Sequence, residues 1–220
     1  MTDNDAIELA SLLCSRLCHD MLSPVGALNN GLELLAEEKD PEMRQRCFEL
    51  LEQSAQTSAN KLKFFRLAFG AAGGFGDKVP VEEPQALVTA LIRDNSRIEP
   101  HWALAVSELP KPAVKVLLNF AQIAIDALVR GGSLDIGAET RDGASEIVVR
   151  ASGPKIAFDE VIGRALQGEL RPGELSSRTA AAHMIGLMAE QAGGGIQHAL
   201  HDDALVLGAV LPYDSEGMIG

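Results

Sequence analysis

Cys18-His19-Asp20-Met21-Leu22-Ser23-Pro24-Val25 lies within a run whose apolar residues recur at helical spacing: Leu13, Leu17, Met21, Pro24, Leu28, Leu32 and Leu35. At about 100° per residue these form one stripe, and His19 falls nearly opposite its centre. Residues 5–38 therefore read as a long amphipathic helix that buries one side and offers an imidazole on the other. Asp20 follows the ring directly. Pro24 has no N–H for the carbonyl of Asp20, so the helix is expected to bend or loosen just after the histidine.

Outward from this helix, Lys39-Asp40-Pro41-Glu42 reads as a short turn, with Asp40 as N-cap and Pro41 at the first helical position. A second helix is expected to about residue 69. Met43, Cys47, Leu50, Ser54, Ser58, Lys61 and Phe65 mark one of its sides, and Ser54, Ala55, Ser58 and Ala59 keep its middle small enough for close helix approach. Two long helices joined by so short a turn make an antiparallel hairpin, and a lone hairpin leaves an apolar face uncovered. A second copy closing a four-helix bundle is the economical cover, with the rest of the same chain as the alternative.

The run Gly70-Ala71-Ala72-Gly73-Gly74-Phe75-Gly76 ends the helical regime and divides the chain into 1–72 and 73–220. Beyond it, helices are expected at 84–96, 111–130, 158–166 and 175–191. Strands are expected at 102–107, 134–140, 146–151, 196–199 and 204–211, with Arg141-Asp142-Gly143 turning one hairpin and His201-Asp202-Asp203 another. This second domain reads as α/β, with helices on one side of a mixed sheet. The fold class of the whole is α+β.

The 220 residues carry 19 basic and 31 acidic side chains, a net charge of -12, and no dense Lys/Arg cluster. Nucleic acid is not an expected partner. No apolar run reaches the roughly 18 residues of a membrane span, and Met1-Thr2-Asp3-Asn4-Asp5 lacks the basic start of an export signal, so a cytoplasmic protein is expected. Cys14, Cys18 and Cys47 lack an evident fourth ligand for a closed zinc site and read as small buried or half-buried thiols.

A histidine-bearing hairpin followed by this α/β order resembles the catalytic core of sensor histidine kinases. His19-Asp20-Met21-Leu22-Ser23-Pro24-Val25 looks like the kinase H-box, and the helix around residues 114–128 occupies the place of the asparagine-rich nucleotide segment. The departures are specific. Asn119 matches the first asparagine of that segment, but Ile123 stands where a metal-coordinating asparagine is expected. Ala151 replaces the adenine-binding aspartate, Lys155 a glycine, and Thr179-Ala180-Ala181-Ala182 a glycine-rich box; residues 168–177 are too few for an ATP lid. The combination is similar to the ChpT-type histidine phosphotransferases of alphaproteobacteria. That resemblance implies a dimeric hairpin beside a degenerate Bergerat-type ATP-binding domain. It also implies phosphoryl transfer from the receiver domain of a hybrid histidine kinase to response regulators such as CtrA.

Within that reading His19 is the phosphoacceptor. An imidazole, with its ordinary pKa of about 6.5, offers a usable neutral nitrogen near pH 7. Nε2 would attack while the Asp20 carboxylate holds Nδ1, fixes the tautomer and stabilises the charge that builds on the ring. Ser23, one turn on, is expected to face the incoming phosphoryl group. No cofactor is expected in this chain, Mg²⁺ coming from the receiver's acidic pocket. Leu12, Ser15, Leu22, Gly26 and Asn30 on the same face, with Arg16, read as a docking platform for a receiver helix. His101, His183, His198 and His201 read as packing or surface residues. A minimal kinase using ATP and a non-catalytic adaptor are the competing readings.

Overall fold

The computed structural model describes residues 3–70, 76–93 and 97–213. Helix α1 (Asp3–Glu37) and helix α2 (Pro41–Phe69) form the hairpin. At 1.5 Å per residue α1 is about 50 Å long. The turn is built by local chemistry. The Asp40 Oδ1 accepts from the Met43 N–H at 3.0 Å, capping α2, and Pro41 enters its first turn. Arg44 Nη1 donates to the carbonyls of Leu35 (2.9 Å) and Glu38 (2.8 Å), supplying partners to acceptors that the end of α1 leaves free. The helices approach closely near the turn, where a Cβ on Gly31 would meet the Leu51 side chain at 2.9 Å.

The second part runs β1 (Lys78–Pro80), α3 (Glu82–Ile92), β2 (Ile98–Leu104), β3 (Glu108–Pro110), α4 (Lys111–Ala127), β4 (Gly132–Arg141), β5 (Ala144–Ser152), α5 (Glu160–Leu166), α6 (Ala180–Gln191), β6 (Gly195–Leu200) and β7 (Ala204–Pro212). β1 and β3 make a small antiparallel pair. The main sheet has the order β2-β4-β5-β7-β6, with β2 parallel to β4 and the other neighbours antiparallel. Alternation along β5 and β7 buries Ile147, Val149 and Ala151, and Leu205, Leu207, Ala209 and Leu211, on one face. α4 packs on that face across β5 and β7, while α5 and α6 cover β6. Asp142 and Gly143, with φ of 51° and 76°, form the two-residue turn that joins β4 to β5.

Several boundaries differ from the sequence reading. β2 begins at Ile98 rather than 102, because its pairing with β4 runs from Ile98↔Gly132 to Leu104↔Ala138. Pro100 is tolerated because β2 is an edge strand. α6 begins at Ala180 rather than 175. The Thr179 hydroxyl accepts from the Ser176 N–H (3.0 Å) and donates to the Glu174 carbonyl (2.8 Å), holding a turn where a helix was expected. α3 starts two residues earlier, with Pro84 in its first turn, and the end expected for it at 94–96 lies outside the described residues. So does the expected division between residues 72 and 73. Across that division the packing is continuous: Phe64, Phe65, Leu67 and Ala68 at the end of α2 share one apolar core with α3, α4 and the sheet.

Candidate functional site

Leu17 and Met21 of α1 pack against this core, which turns the residue between them outward. His19 is accordingly 83 % exposed, and its Nδ1 lies 3.2 Å from Asp20 Oδ1. A carboxylate only accepts, so in the neutral ring this contact favours the proton on Nδ1 and the lone pair on Nε2. The backbone here is held by a side chain of the other helix. Pro24 cannot bond the Asp20 carbonyl, and Lys61 Nζ of α2 donates to it at 3.1 Å, so α1 passes through Pro24 as continuous helix.

Arg16 is turned inward, with 21 % of its side chain exposed. Its Nε lies 3.6 Å from Asp20 Oδ2, its Nη2 lies 3.9 Å from Asp126 Oδ2 on α4, and its Nη1 donates to the Arg178 carbonyl at 3.3 Å. The Asp126 carboxyl also accepts from Gln122 Nε2 at 2.9 Å. Partial burial by the surrounding walls raises its pKa, with Gln122 and Arg16 opposing that rise. Because 60 % of the Asp126 side chain still reaches solvent, its pairing with Arg16 adds little stability.

Arg16, His19 and Asp20 form one wall of a cleft of about 570 Å³ between the hairpin and the second domain. Phe65, Asn119 and Phe158 line it further in. Ser23 is exposed but lines a neighbouring groove with Thr57 and Lys61, so it lies beside the cleft rather than within it. Along α1, Ser15, Leu22 and Asn30 are exposed and Leu12 half-buried, while a Cβ on Gly26 would meet nothing within 4 Å. Arg16 alone of the expected docking set has ionic or hydrogen-bonded partners elsewhere in the chain among the described contacts.

The residues likened above to a nucleotide-binding segment are placed as follows. The Asn119 amide is buried and donates to the Lys115 carbonyl in its own helix at 2.8 Å. Ala151 is buried within β5, Lys155 is exposed, and Ala180, Ala181 and Ala182 are buried in α6. The short segment before α6 is pinned by a two-point Arg164–Glu174 pair, with Nη2 to Oε1 at 2.6 Å and Nε to Oε2 at 3.1 Å. That pair holds the Glu174 carboxyl below its usual range, the hydrogen bond from Arg164 being the main cause. Among the described residues no three His, Cys, Asp or Glu side chains are placed to hold a metal; Cys14 and Cys18 are exposed and Cys47 is buried.

The other histidines sit apart. His101 lies between Asp135 (3.1 Å) and Glu99 (3.6 Å) on the edge strand, and His201 is exposed at a turn. His198 packs against Phe158 with ring centroids 5.4 Å apart. His183 is half-buried, and loss of water around it lowers its pKa. The sequence does not single out Lys61 or Asp126. Pro24 does signal an unpaired carbonyl at Asp20, but nothing in the sequence names its donor. Asp126 lies far along the chain from Arg16 and carries no local signal.

Among the described residues no helix is long and apolar enough to cross a membrane. The sequence model of the family described as histidine phosphotransferase C-terminal domain matches residues 81–204. Protein phosphotransferase ChpT of Brucella abortus (strain 2308) is 37% identical over 199 residues, which cover 90% of this chain and 93% of that protein. A bacterial phosphotransferase solved at 1.7 Å is 32% identical and superposes with a TM-score of 0.80, over 95% of this chain and 97% of that one. An exposed, carboxylate-backed histidine on a helical hairpin, joined to that C-terminal domain, is thus accompanied by likeness along almost the whole chain, and the chain belongs to the ChpT-type histidine phosphotransferases.

Proposed function

We propose that the protein is a phosphoryl carrier in a multistep phosphorelay, accepting the group on His19 from a receiver-domain aspartate and passing it to the aspartate of a response regulator. The observation that carries this reading is the geometry of one ring: His19 is 83 % exposed with Nδ1 at 3.2 Å from Asp20. The Nε2 lone pair attacks phosphorus, the P–O bond to the receiver breaks, and the aspartate leaves as its carboxylate. The ring then keeps its Nδ1 proton, and its positive charge lies against Asp20. Onward transfer runs the same steps in reverse on a second receiver. Such chemistry is mostly positioning and electrostatics, and neither calls for bulky catalytic machinery on the carrier.

The Mg²⁺ that neutralises the moving phosphoryl belongs to the receiver's acidic pocket. Leu12, Ser15, Leu22, Gly26 and Asn30 form the platform on which the receiver helix docks, with Ser23 at the edge of the phosphoryl path. The donor is read as the receiver of a hybrid histidine kinase and the acceptor as a CtrA-like response regulator. In this reading the protein works in the cytoplasm, with neither membrane nor nucleic acid as a partner. The hairpin forms a homodimeric four-helix bundle in this reading, which the exposed Leu32, Leu34, Phe48 and Leu50 support.

The second domain is read as unable to use ATP. Asn119 is committed to its own helix, Ile123 offers a metal no oxygen, and Ala151 offers the adenine amine no acceptor. Two incubations test the whole reading. A phosphorylated receiver should place acid-labile, base-stable label on this chain, and ATP with Mg²⁺ alone should place none. Label from ATP alone, together with saturable low-micromolar binding in a calorimetric titration, would make the protein a kinase.

A further inference from the structure

We infer that Asp126 of α4 is a positioning residue for phosphoryl transfer, acting through Arg16 and Asp20 on the His19 ring. The inference rests on His19 being the phosphoacceptor. Arg16, Asp20, Lys61 and Asp126 line one cavity of about 260 Å³ where the hairpin meets α4. Their contacts form a chain of alternating charge. Asp126 Oδ2 faces Arg16 Nη2, Arg16 Nε faces Asp20 Oδ2, and Asp20 Oδ1 faces His19 Nδ1. The two oxygens of Asp20 are thus divided between the imidazole and the guanidinium.

A carboxylate beside an exposed histidine has free rotamers of its own, and it holds the ring in one tautomer only when something holds the carboxylate. Arg16 has that role, and Arg16 is itself held from outside the hairpin. Its two contacts beyond α1 are Asp126 on α4 and the Arg178 carbonyl just before α6. Both belong to the second domain. Gln122, one turn before Asp126, donates to the other Asp126 oxygen at 2.9 Å and fixes that carboxylate in turn. The domain that resembles a nucleotide-binding fold would therefore serve the reaction by orienting the histidine's carboxylate partner.

Asp126 touches neither the reacting nitrogen nor the phosphoryl group, so its removal should slow transfer without abolishing it. A loosened supporting residue commonly costs tenfold or more, and about tenfold is expected here for Asp126→Asn. The pair is too open to solvent to matter much for folding, so the melting temperature should stay within about 2 °C of wild type.

The test uses the full-length protein and a phosphorylated receiver domain, with single-turnover transfer rates for wild type, D126N, D126E, D20N and D20N/D126N. Ring-nitrogen NMR shifts of His19 report its tautomer in the same proteins. The expected results are a tenfold loss in D126N with a shift toward mixed tautomers, recovery of both in D126E, and no added loss from D126N in the D20N background. Transfer in D126N within twofold of wild type and unaltered His19 shifts would overturn the inference. So would losses that multiply in the double variant, since Asp126 would then act independently of Asp20. Should wild type itself take no label on His19, the phosphoacceptor reading falls first, and the two failures are told apart.

Discussion

Helices α1 and α4 use opposite strategies. α4 has seventeen residues, ten of them buried, and packs against α2, α3, α6 and the sheet. α1 has thirty-five, of which only Leu9, Pro24 and Gly31 are buried, and Ile7, Leu22, Leu32 and Leu34 stand exposed. A helix apolar on most sides that is covered within its own chain is structural. One that leaves large apolar side chains open along its length offers that surface to other molecules. Near the hairpin turn Met43, Phe48 and Leu50 of α2 are exposed as well, and there a second copy is the proposed cover. Near His19 the large exposed apolar residues are Leu22 and Val25, beside polar neighbours, as suits a partner that arrives and leaves.

The sharpest way to break this contrast is to damage each helix at one residue. Phe120 of α4 is fully buried, and Phe120→Ala should cost about 3–5 kcal/mol of stability in denaturant unfolding. Phe48 of α2 is 51 % exposed. Phe48→Arg should leave the far-ultraviolet spectrum of the protein intact and shift its sedimenting mass from dimer to monomer at micromolar concentration. A wild-type protein already monomeric under those conditions would contradict the self-association half of the contrast.

A smaller effect is expected where the two helices of the hairpin are tied together beside the histidine. Lys61→Met removes the donor to the Asp20 carbonyl and should cost about 1–2 kcal/mol, read from the urea midpoint, because a partly buried carbonyl is left without its bond. No loss would mean that water replaces Lys61 freely and that Pro24 imposes no demand.

The smallest effect concerns His183. Its pKa is lowered in the folded protein, so folding binds fewer protons there than the unfolded chain does. Its stabilising share is present above the unfolded value of about 6.5 and is lost as the pH falls below that. Stability measured at pH 7 and pH 5 should therefore drop less in His183→Gln than in wild type.

What the sequence makes legible divides between local and distant contacts. Whatever rests on neighbours in sequence was readable: the Asp40 cap with Pro41, the Asp142-Gly143 turn, the alternation of β5 and β7, and the exposure of His19 opposite the Leu17 and Met21 stripe. What rests on distant partners was not. Glu99-Pro100-His101 looks unlike a strand until β4 lies beside it in parallel. Likewise Ser176 and Ser177 sit in a run with helical periodicity, and the hydrogen bonds of Thr179, with the Arg164–Glu174 pair just before them, hold that segment out of the helix. At the site, His19 and Asp20 announce themselves by adjacency. Arg16 reads in the sequence as part of a docking platform because its partners, Asp126 and the Arg178 carbonyl, reach it only through the tertiary fold.

The central claim is that one exposed imidazole carries the phosphoryl group, and site mapping after transfer tests it most directly. Wild type and His19→Ala are incubated with a phosphorylated receiver domain, and the label is located by mass spectrometry under alkaline conditions. An exposed helical position accepts alanine readily, so helicity and oligomeric state should not change in the variant. Label confined to His19 in wild type and absent from His19→Ala is the expected result, and label that persists in the variant, or that maps to His183 or His198, would contradict the account.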